Sequence, residues 1–231
     1  MLAGDPDEAA EKAELFLKER SLVAYCDTVV LQGLQLVRSD VERGVVRELR
    51  QSKFRDTVRD LVADLAEAGE APEAKTMNTD AEAISAVENV PERDSGQRVP
   101  VLKPDNLLPD WKGDHPLLCI AGRSALDEAA SIMMAHLATA HSIAARTEPA
   151  DALSMANVFH LDSTGVAAVC LIYLDGASQS HMRYTIKRLR RKMPNGKIIL
   201  CCWAEGIYRE TLLQRRVDAK ADFGAQRRAK P

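Results

Sequence analysis

The sequence has few aromatic residues, which make up 4% of its 231 positions. Proteins that hold single-stranded nucleic acids stack bases on aromatic side chains, so this scarcity argues against a nucleic-acid partner. Long apolar runs are also missing, since the longest, residues 166–174, is far shorter than the ~20 residues that a membrane-spanning helix needs. The first residues are acidic and contain no apolar signal region. These absences predict a soluble, cytoplasmic protein.

Sequence motifs that name a cofactor or a reaction are absent as well. The sequence contains neither the G-x-G-x-x-G dinucleotide fingerprint nor the G-x-x-x-x-G-K-[ST] phosphate loop, and it has no G-x-S-x-G nucleophile elbow. The five histidines lack the spacing of a zinc site, and the five cysteines form no C-x-x-C pair. We therefore expect no metal site, and nothing in the sequence predicts an enzyme.

The cysteines are predicted to be reduced and buried. Four of them, Cys119, Cys170, Cys201 and Cys202, lie within apolar runs that predict strands, where cysteine serves as a small apolar residue. Cys201 and Cys202 are adjacent, so their side chains would point to opposite faces of a strand. A metal site shared by these two residues is therefore not expected.

Three continuous apolar runs are the clearest structural signal in the sequence. They span residues 116–121, 165–173 and 197–202, and helical stretches separate them. Such runs are typical of strands that are buried on both faces of a parallel sheet. A short strand is also predicted at 144–147, and helices at 125–141, 152–159 and 178–193. The predicted fold class is α/β: a small flavodoxin-like or Rossmann-like parallel sheet domain preceded by a helical module.

Composition divides the chain into four parts. Residues 1–68 show helical spacing of apolar residues and predict the helical module, and residues 69–113 form a linker rich in Pro, Ala and Glu, with a short helix near 80–87. The α/β domain occupies residues 114–214, and a basic tail occupies 215–231. Neither a fifth strand nor a closing helix is evident near the end. Either the sheet is truncated at that edge, or the N-terminal helices cover it.

Polar residues follow two of the predicted strands, at the edge where parallel sheets bind ligands. The candidate ligand-binding residues are Gly122, Arg123, Ser124, Asp175, Gly176 and Ser178. Backbone N–H groups at a helix N-terminus attract anions, and Arg123 could pair with a phosphate or carboxylate. The alternative is that both loops are simple turns, in which Ser124 and Ser178 cap the helices that follow.

Charge is distributed unevenly along the chain. The net charge is −3, but residues 176–231 contain 14 Lys and Arg against 4 Asp and Glu, a net charge of +10. The predicted helix at 183–192 carries a basic run that is either a solvated face or an interface. An interface at this helix would suit an acidic partner or the acidic N-terminal part of a chain. The basic part as a whole, from residue 176 onward, could also meet an acidic partner or an anionic membrane surface.

The order of helices, strand and polar loop resembles the cobalamin-binding module, a helical cap joined to a Rossmann-like domain. Residues 4–34 resemble the first two cap helices, residues 41–44 (Val-Glu-Arg-Gly) take the place of a frequent W-x-x-G, and residues 118–203 resemble the sheet domain. The cobalt-ligating histidine of the D-x-H-x-x-G loop is missing from residues 122–127, and Trp203 replaces the first residue of a glycine pair. The resemblance implies a degenerate module, with cobalamin a candidate cofactor that would lack its histidine ligand.

Three segments are similar to a soluble C-terminal extension found on some bacterial membrane proteins of the autoinducer-2 exporter-like transporter family. They are residues 1–10, 16–22 and 121–124. This similarity implies a non-catalytic cytoplasmic regulatory or interaction module at the inner face of the membrane. Its partners would be the membrane portion of a transporter or a second copy of the chain. A cobalamin-like or small-molecule sensor, and a small Rossmann-type enzyme, are the alternatives.

Overall fold

The computed structural model describes residues 6–46, 50–67, 102–174, 178–203 and 209–226. The helices are α1 (Pro6–Glu19), α2 (Leu22–Tyr25), α3 (Leu31–Glu42), α4 (Gln51–Glu67), α5 (Ala125–Ala140), α6 (Gln179–Lys192) and α7 (Arg209–Ala219). The strands are β1 (Leu117–Ala121), β2 (Ala145–Glu148), β3 (Ala168–Tyr173), β4 (Lys197–Cys202) and β5 (Phe223–Gln226). A π-helical segment, Cys26–Val30, joins α2 to α3. The short helix predicted near 80–87 lies outside the described residues.

The five strands form one parallel sheet in the order β2-β1-β3-β4-β5. This is the strand order of flavodoxin-like folds, and it confirms the predicted α/β class. Every residue of β1 and β3 is buried, which explains why both strands were visible as continuous apolar runs. In this order the chain switches direction across the sheet between β1 and β3, so the loops that follow these two strands form the edge where a ligand would bind.

The end of the α/β domain differs from the sequence prediction. Residues 215–231 were predicted as a basic tail, but α7 continues to Ala219 and β5 pairs in parallel with β4. Leu212 on α7 and Ala219 at its end are buried against the sheet. The strand escaped detection because an edge strand of four residues, Phe-Gly-Ala-Gln, contains only one large apolar side chain.

The helix predicted at 152–159 is also absent. A 3-10 turn, Ala150–Leu153, follows β2 instead, and the chain then runs through turns to residue 160. Leu153 and Val158 are nevertheless buried. The apolar residues of this segment therefore do face the core, although the segment is not the predicted helix. Short irregular segments can bury two such residues without the regular period of a helix.

Helices cover both faces of the sheet. On one face, α6, α7 and the Ala150–Leu153 turn enclose a hydrophobic cluster. On the other face, α5 and the N-terminal helices share one continuous cluster with the sheet, and α4 lies along α5. The N-terminal helices therefore cover this face. The edge after β4 is completed by β5 and α7, so neither sequence alternative for that edge, truncation or cover by the N-terminal helices, is correct. Cys201 and Cys202 lie in the two different clusters, which confirms that they point to opposite faces.

Asp222, directly before the edge strand β5, bonds to β4 and to α6. Its backbone N–H donates to the Ile198 carbonyl at 2.9 Å, and its carboxylate accepts from the Ile198 N–H at 2.8 Å. The same carboxylate forms an ion pair with Arg190 of α6. Burial raises the pKa of Asp222, but the hydrogen bonds from Ile198 and Arg190 outweigh that effect and leave the pKa below its ordinary value.

We expect Asp222→Asn to lower the free energy of unfolding by about 1 kcal/mol at neutral pH, because two charge-assisted bonds at a partly exposed site are weakened. The folded-state pKa lies below the unfolded value of about 3.9, so this contribution is present above about pH 4 and is lost as pH falls through the folded pKa. Urea unfolding from neutral pH down to acid measures it. The exposed Asp60→Asn on α4 is the control, and a wild-type advantage over Asp222→Asn that persists undiminished in acid would contradict the assignment.

Candidate functional site

The loop after β1 is organised by a capping box at the start of α5. Ser124 is the N-cap, and its hydroxyl accepts a hydrogen bond from the Asp127 N–H at 3.2 Å. In return, one carboxylate oxygen of Asp127 accepts from the N–H groups of Ser124 (3.1 Å) and Arg123 (2.9 Å). Ser124 therefore has the capping role that the sequence offered as the alternative to ligand binding.

Asp127 also joins this loop to the neighbouring strand. Its second carboxylate oxygen accepts a hydrogen bond from the N–H of Leu174, directly after β3, at 2.7 Å. The residue is completely buried. One carboxylate thus accepts three backbone N–H groups at the switch point, two from the loop after β1 and one from the end of β3. It stands where the oxygens of a bound anion would receive such bonds.

Gly122, in the same loop, is closely packed. The Gly122 N–H donates to the Ile172 carbonyl at 2.8 Å. A side-chain Cβ at this position would lie 2.2 Å from two ring carbons of Tyr173 and 2.8 Å from the Ile172 oxygen. His181 of α6 packs edge-on against the Tyr173 ring, with centroids 5.9 Å apart, and its Nε2 lies 3.2 Å from the Gly122 oxygen. Gly122 is a glycine because of this close approach.

The helical module reaches the strand ends from the opposite face of the sheet. Arg38 of α3 donates to the Leu174 carbonyl at 2.8 Å, and Gln35 donates to the Trp203 carbonyl at 2.6 Å. The Trp203 N–H donates to the Tyr173 carbonyl at 2.9 Å, and the indole is buried in the core shared with the helical module. Two carbonyls that follow β3 and β4 are therefore occupied by side chains of α3.

The six predicted ligand-binding residues differ in the contacts that the structure gives them. Gly122 is buried in a packed contact, while Ser124 and Ser178 are N-caps, the latter accepting from the His181 N–H at 3.2 Å. The side chain of Arg123 is exposed. Asp175 and Gly176 lie outside the described residues. Of the four that are described, Arg123 and Ser178 are the ones whose side chains a ligand at this edge could reach.

Asp127 is the residue that sequence reasoning missed. The interval of three residues from Ser124 to an acidic residue is the signature of a capping box and could have found the first half of its role. No local pattern predicts the hydrogen bond between Asp127 and Leu174, because it joins residues 47 positions apart.

The residues at the strand ends do not fit cobalamin. The loop after β1 holds no histidine, and its N–H groups are bound to Asp127. Trp203, where the resemblance to the cobalamin-binding module would require a glycine to make room for a nucleotide tail, is buried and bonded through its backbone to Tyr173 and Gln35. The loop histidine and the glycine that the resemblance would require are therefore both missing at this edge among the described residues.

A row of thiols crosses the sheet below α5. Cys119 faces Cys170 on the neighbouring strand, and Cys201 lies near Cys170 on the next strand. A hydrogen bond with Cys170, together with burial, raises the pKa of the Cys119 thiol. In the helical module, burial and then the charge of Asp27 raise the pKa of Cys26 to about 12. All five cysteines are free and buried, so the prediction that they are buried is confirmed.

We expect none of the five thiols to react with a disulfide reagent such as dithionitrobenzoate in the native protein at neutral pH, and all five to react in urea. The thiolate is the reactive form, and burial withholds the access that the reagent needs. Release of thionitrobenzoate measures the reaction. Ser180→Cys, on the exposed start of α6, is the matched positive control and should react at once. A native thiol that reacts as fast as this control would contradict the prediction.

A concave region lies at the other end of the strands. It is an open groove of about 320 Å³ next to the start of β2, lined by Asp105, Leu107, Trp111, Lys112, Gly113, Ser142 and Ala144. The Lys112 ammonium donates to the Asp105 carbonyl at 3.2 Å across it. Because this groove adjoins the amino ends of the strands, it is separate from the edge where ligands of parallel sheets bind.

No family model, curated protein or solved structure matches this chain. None of the helices in the described ranges has the length and apolar character needed to cross a bilayer. Within the same ranges, no three His, Cys, Asp or Glu side chains come together in a group that could bind a metal ion.

Proposed function

We propose that this chain is a non-catalytic regulatory or interaction module with a degenerate B12-binding-like fold. It works at the cytoplasmic face of a bacterial membrane, in association with a transporter of the autoinducer-2 exporter-like family. The observation that carries the proposal is the buried carboxylate of Asp127, which accepts three backbone N–H groups at the switch point of the sheet.

The contacts of Asp127 argue against an enzyme or a cofactor sensor at this edge. Proteins of this architecture use backbone N–H groups at the strand ends to hold a phosphate or a cofactor. Here the N–H groups of Arg123, Ser124 and Leu174 already have a charged acceptor within the chain. A ligand would have to displace a buried carboxylate from these N–H groups. Hydrogen bonds from a backbone N–H to a charged acceptor are stronger than those to a neutral acceptor.

Polar contacts between the helical module and the sheet domain support an interaction scaffold. Arg38 and Gln35 of α3 bond to carbonyls beyond β3 and β4. Arg55 of α4 forms an ion pair with Glu128 of α5 at 3.0 Å, and the same Glu128 accepts from the Ala150 N–H at 3.3 Å. Since the two parts share a core as well, they offer their outer surfaces to partners as one body.

The association with a transporter rests on the sequence similarity of three segments. Two of these segments contain residues that are constrained by close packing or by a helix cap. Phe16 packs edge-on against Tyr25 at 5.4 Å between centroids, and Leu17 is buried in the helical module. Gly122 and Ser124 make the tight contact and the helix cap described above. The similarity therefore involves residues that maintain this fold, which supports a shared domain.

A titration with cobalamins tests the closed ligand edge. We expect the visible spectra of hydroxocobalamin and methylcobalamin to be unchanged by the purified protein, and no colour to stay with the protein on gel filtration. A spectral shift that saturates at one cobalamin per chain would overturn the non-ligand part of the proposal and establish the sensor alternative.

Fractionation of the source cells tests the membrane association. An antibody against the chain should detect a polypeptide longer than 231 residues in the membrane fraction, resistant to extraction by high salt and by alkaline carbonate. Detection of a polypeptide of the chain's own size, present in the soluble fraction alone, would overturn the transporter association and leave the ligand result untouched.

A further inference from the structure

Helix α6 presents a basic face to the outside of the molecule. The helix contains six Lys and Arg and no Asp or Glu: Arg183, Lys187, Arg188, Arg190, Arg191 and Lys192. Its apolar side, with Met182, Ile186 and Leu189, is buried against the sheet. The charges therefore lie on the flanks and the outer surface of the helix.

Several of these cations have structural roles. Arg188 donates to the Leu153 carbonyl at 2.8 Å, and Lys192 donates to the Phe159 carbonyl at 3.0 Å. These two bonds hold the segment 153–159 beside α6. Lys187 and Arg191 are different, because both are exposed and neither has a hydrogen-bond or ion-pair partner among the residues that the structure describes.

Exposed apolar side chains accompany the free cations. Tyr184 is 66% exposed, and it shares the outer face of α6 with Lys187 and Arg191 because helical residues three, four and seven positions apart lie on one side. Phe159 (77% exposed) and Met155 (67% exposed) stand on the segment that Arg188 and Lys192 hold in place. We call this set the α6 surface: Met155, Phe159, Tyr184, Lys187 and Arg191.

We propose that the α6 surface docks on anionic phospholipid headgroups. The proposal deepens the proposed function, since it names the membrane surface itself as a partner of the module. Basic side chains near an anionic leaflet are attracted to it, while aromatic side chains with one polar end or an exposed ring favour the headgroup region. The α6 surface combines both features on the outside of a helix, with no carboxylate on that helix to oppose them.

An acidic protein is a weaker match for this surface. Amphipathic partner helices bind in apolar grooves, whereas Tyr184, Phe159 and Met155 are separate, strongly exposed side chains on an outward face. Individual apolar tips flanked by cations are what an interfacial membrane contact uses. In the docked orientation the N-terminal helices, which cover the opposite face of the sheet, would point away from the membrane.

Vesicle binding by the purified chain tests the proposal. The probe is a vesicle of phosphatidylcholine and phosphatidylglycerol mixed about 2:1, compared with phosphatidylcholine alone, in a flotation assay. We expect the chain to float with the mixed vesicles and to bind the neutral vesicles at least about ten-fold more weakly. Raising the salt concentration from about 0.05 to 0.5 M should release the chain from the mixed vesicles. Absence of binding to the mixed vesicles at the low salt concentration overturns the proposal.

Paired variants assign the binding to this surface. Lys187→Glu with Arg191→Glu should weaken vesicle binding at least ten-fold, and Phe159→Ala should weaken it several-fold. The matched controls carry the same kinds of change on exposed positions of the helical module: Lys18→Glu with Lys53→Glu, and Leu15→Ala. Far-ultraviolet circular dichroism and urea midpoints confirm folding of each variant. Equal binding by the test and control pairs overturns the proposal.

A labelled poly-glutamate peptide separates the lipid from an acidic protein. Capture of this peptide by the wild-type chain, lost with the α6 charge variant while vesicles are not bound, would replace the lipid by an acidic protein partner. None of these outcomes affects the size and location of the polypeptide in cell fractions, so failure here is distinguishable from failure of the transporter association.

Discussion

Asp127→Ala is expected to lower the free energy of unfolding by about 4 kcal/mol, measured by urea denaturation at neutral pH. The substitution leaves the N–H groups of Arg123, Ser124 and Leu174 without their acceptor in a buried place. It also removes half of the capping box of α5. Each lost contact with a charged acceptor is worth about 1.5–3 kcal/mol, and water entering the vacated site recovers part of the sum.

Two further variants separate the carboxylate's role from general effects. Asp127→Asn has the same shape but replaces one oxygen by a donor that opposes an N–H, so we expect a loss of about 2 kcal/mol. Asp64→Ala, on the exposed side of α4, should change stability by no more than about 0.5 kcal/mol. A stability of Asp127→Ala equal to that of Asp64→Ala would show that Asp127 does not hold the strand ends together.

Added anions give an independent readout of the same site. In Asp127→Ala the three N–H groups would be free to bind acetate or inorganic phosphate, and a ligand that binds the folded state alone stabilises it by mass action. We therefore expect acetate to raise the unfolding midpoint of Asp127→Ala by more than it raises the midpoint of the wild type or of Asp64→Ala. Equal responses of all three proteins would mean that the vacated N–H groups do not form an anion site.

The sequence predicted those parts of the fold that depend on local signals. Strands β1, β3 and β4 were found because buried central strands are continuous apolar runs, and Ser124 was offered as a cap because its residue type and position suit that role. Strand β5 and helix α7 were missed. An edge strand with one large apolar residue and a helix that buries few side chains carry too little pattern to be recognised.

Contacts between distant parts of the chain could not be predicted in the same way. Gln35 and Arg38 are ordinary polar residues of a helix in sequence, and their acceptors are carbonyls 168 and 136 residues away. Nothing local distinguishes them from solvated residues until α3 is placed above the strand ends. The same holds for Asp127, whose local partner, Ser124, was within reach of sequence reasoning, while Leu174 was not.

Among the described residues, the switch point of the sheet is packed by residues that come from three separate regions. Asp127 belongs to α5, Tyr173 to β3 and His181 to α6. Tyr173 and His181 contact Gly122, while Asp127 accepts hydrogen bonds from the two residues that follow it. Each of them makes contacts that a bound ligand would otherwise make or would need to displace. This arrangement explains how the strand order of a ligand-binding fold can persist in a chain that lacks the motifs for its usual ligands.

Gly122→Ala is expected to lower the free energy of unfolding by about 3 kcal/mol. The added Cβ would lie 2.2 Å from the Tyr173 ring and 2.8 Å from the Ile172 carbonyl oxygen, both far inside normal contact distances. The carbonyl belongs to the central strand β3 and cannot withdraw without breaking the ladder, so the cost exceeds that of a clash with a flexible side chain. Gly113→Ala is the control, because its Cβ would meet a single atom at 3.4 Å and should cost no more than about 0.5 kcal/mol.

A double-mutant cycle with Tyr173→Ala tests whether the added methyl group of Gly122→Ala clashes with the Tyr173 ring or with the Ile172 carbonyl. Removal of the ring creates a cavity and should itself cost about 3–5 kcal/mol, but it also provides space for the Cβ at position 122. The double variant should therefore be more stable than the sum of the two single losses predicts, by about 1 kcal/mol or more. Strict additivity would place the whole conflict at the Ile172 carbonyl. A Gly122→Ala protein as stable as Gly113→Ala would mean that β1 and β3 can separate at their carboxyl ends, and the closed switch point on which the proposed function rests would then have to be abandoned.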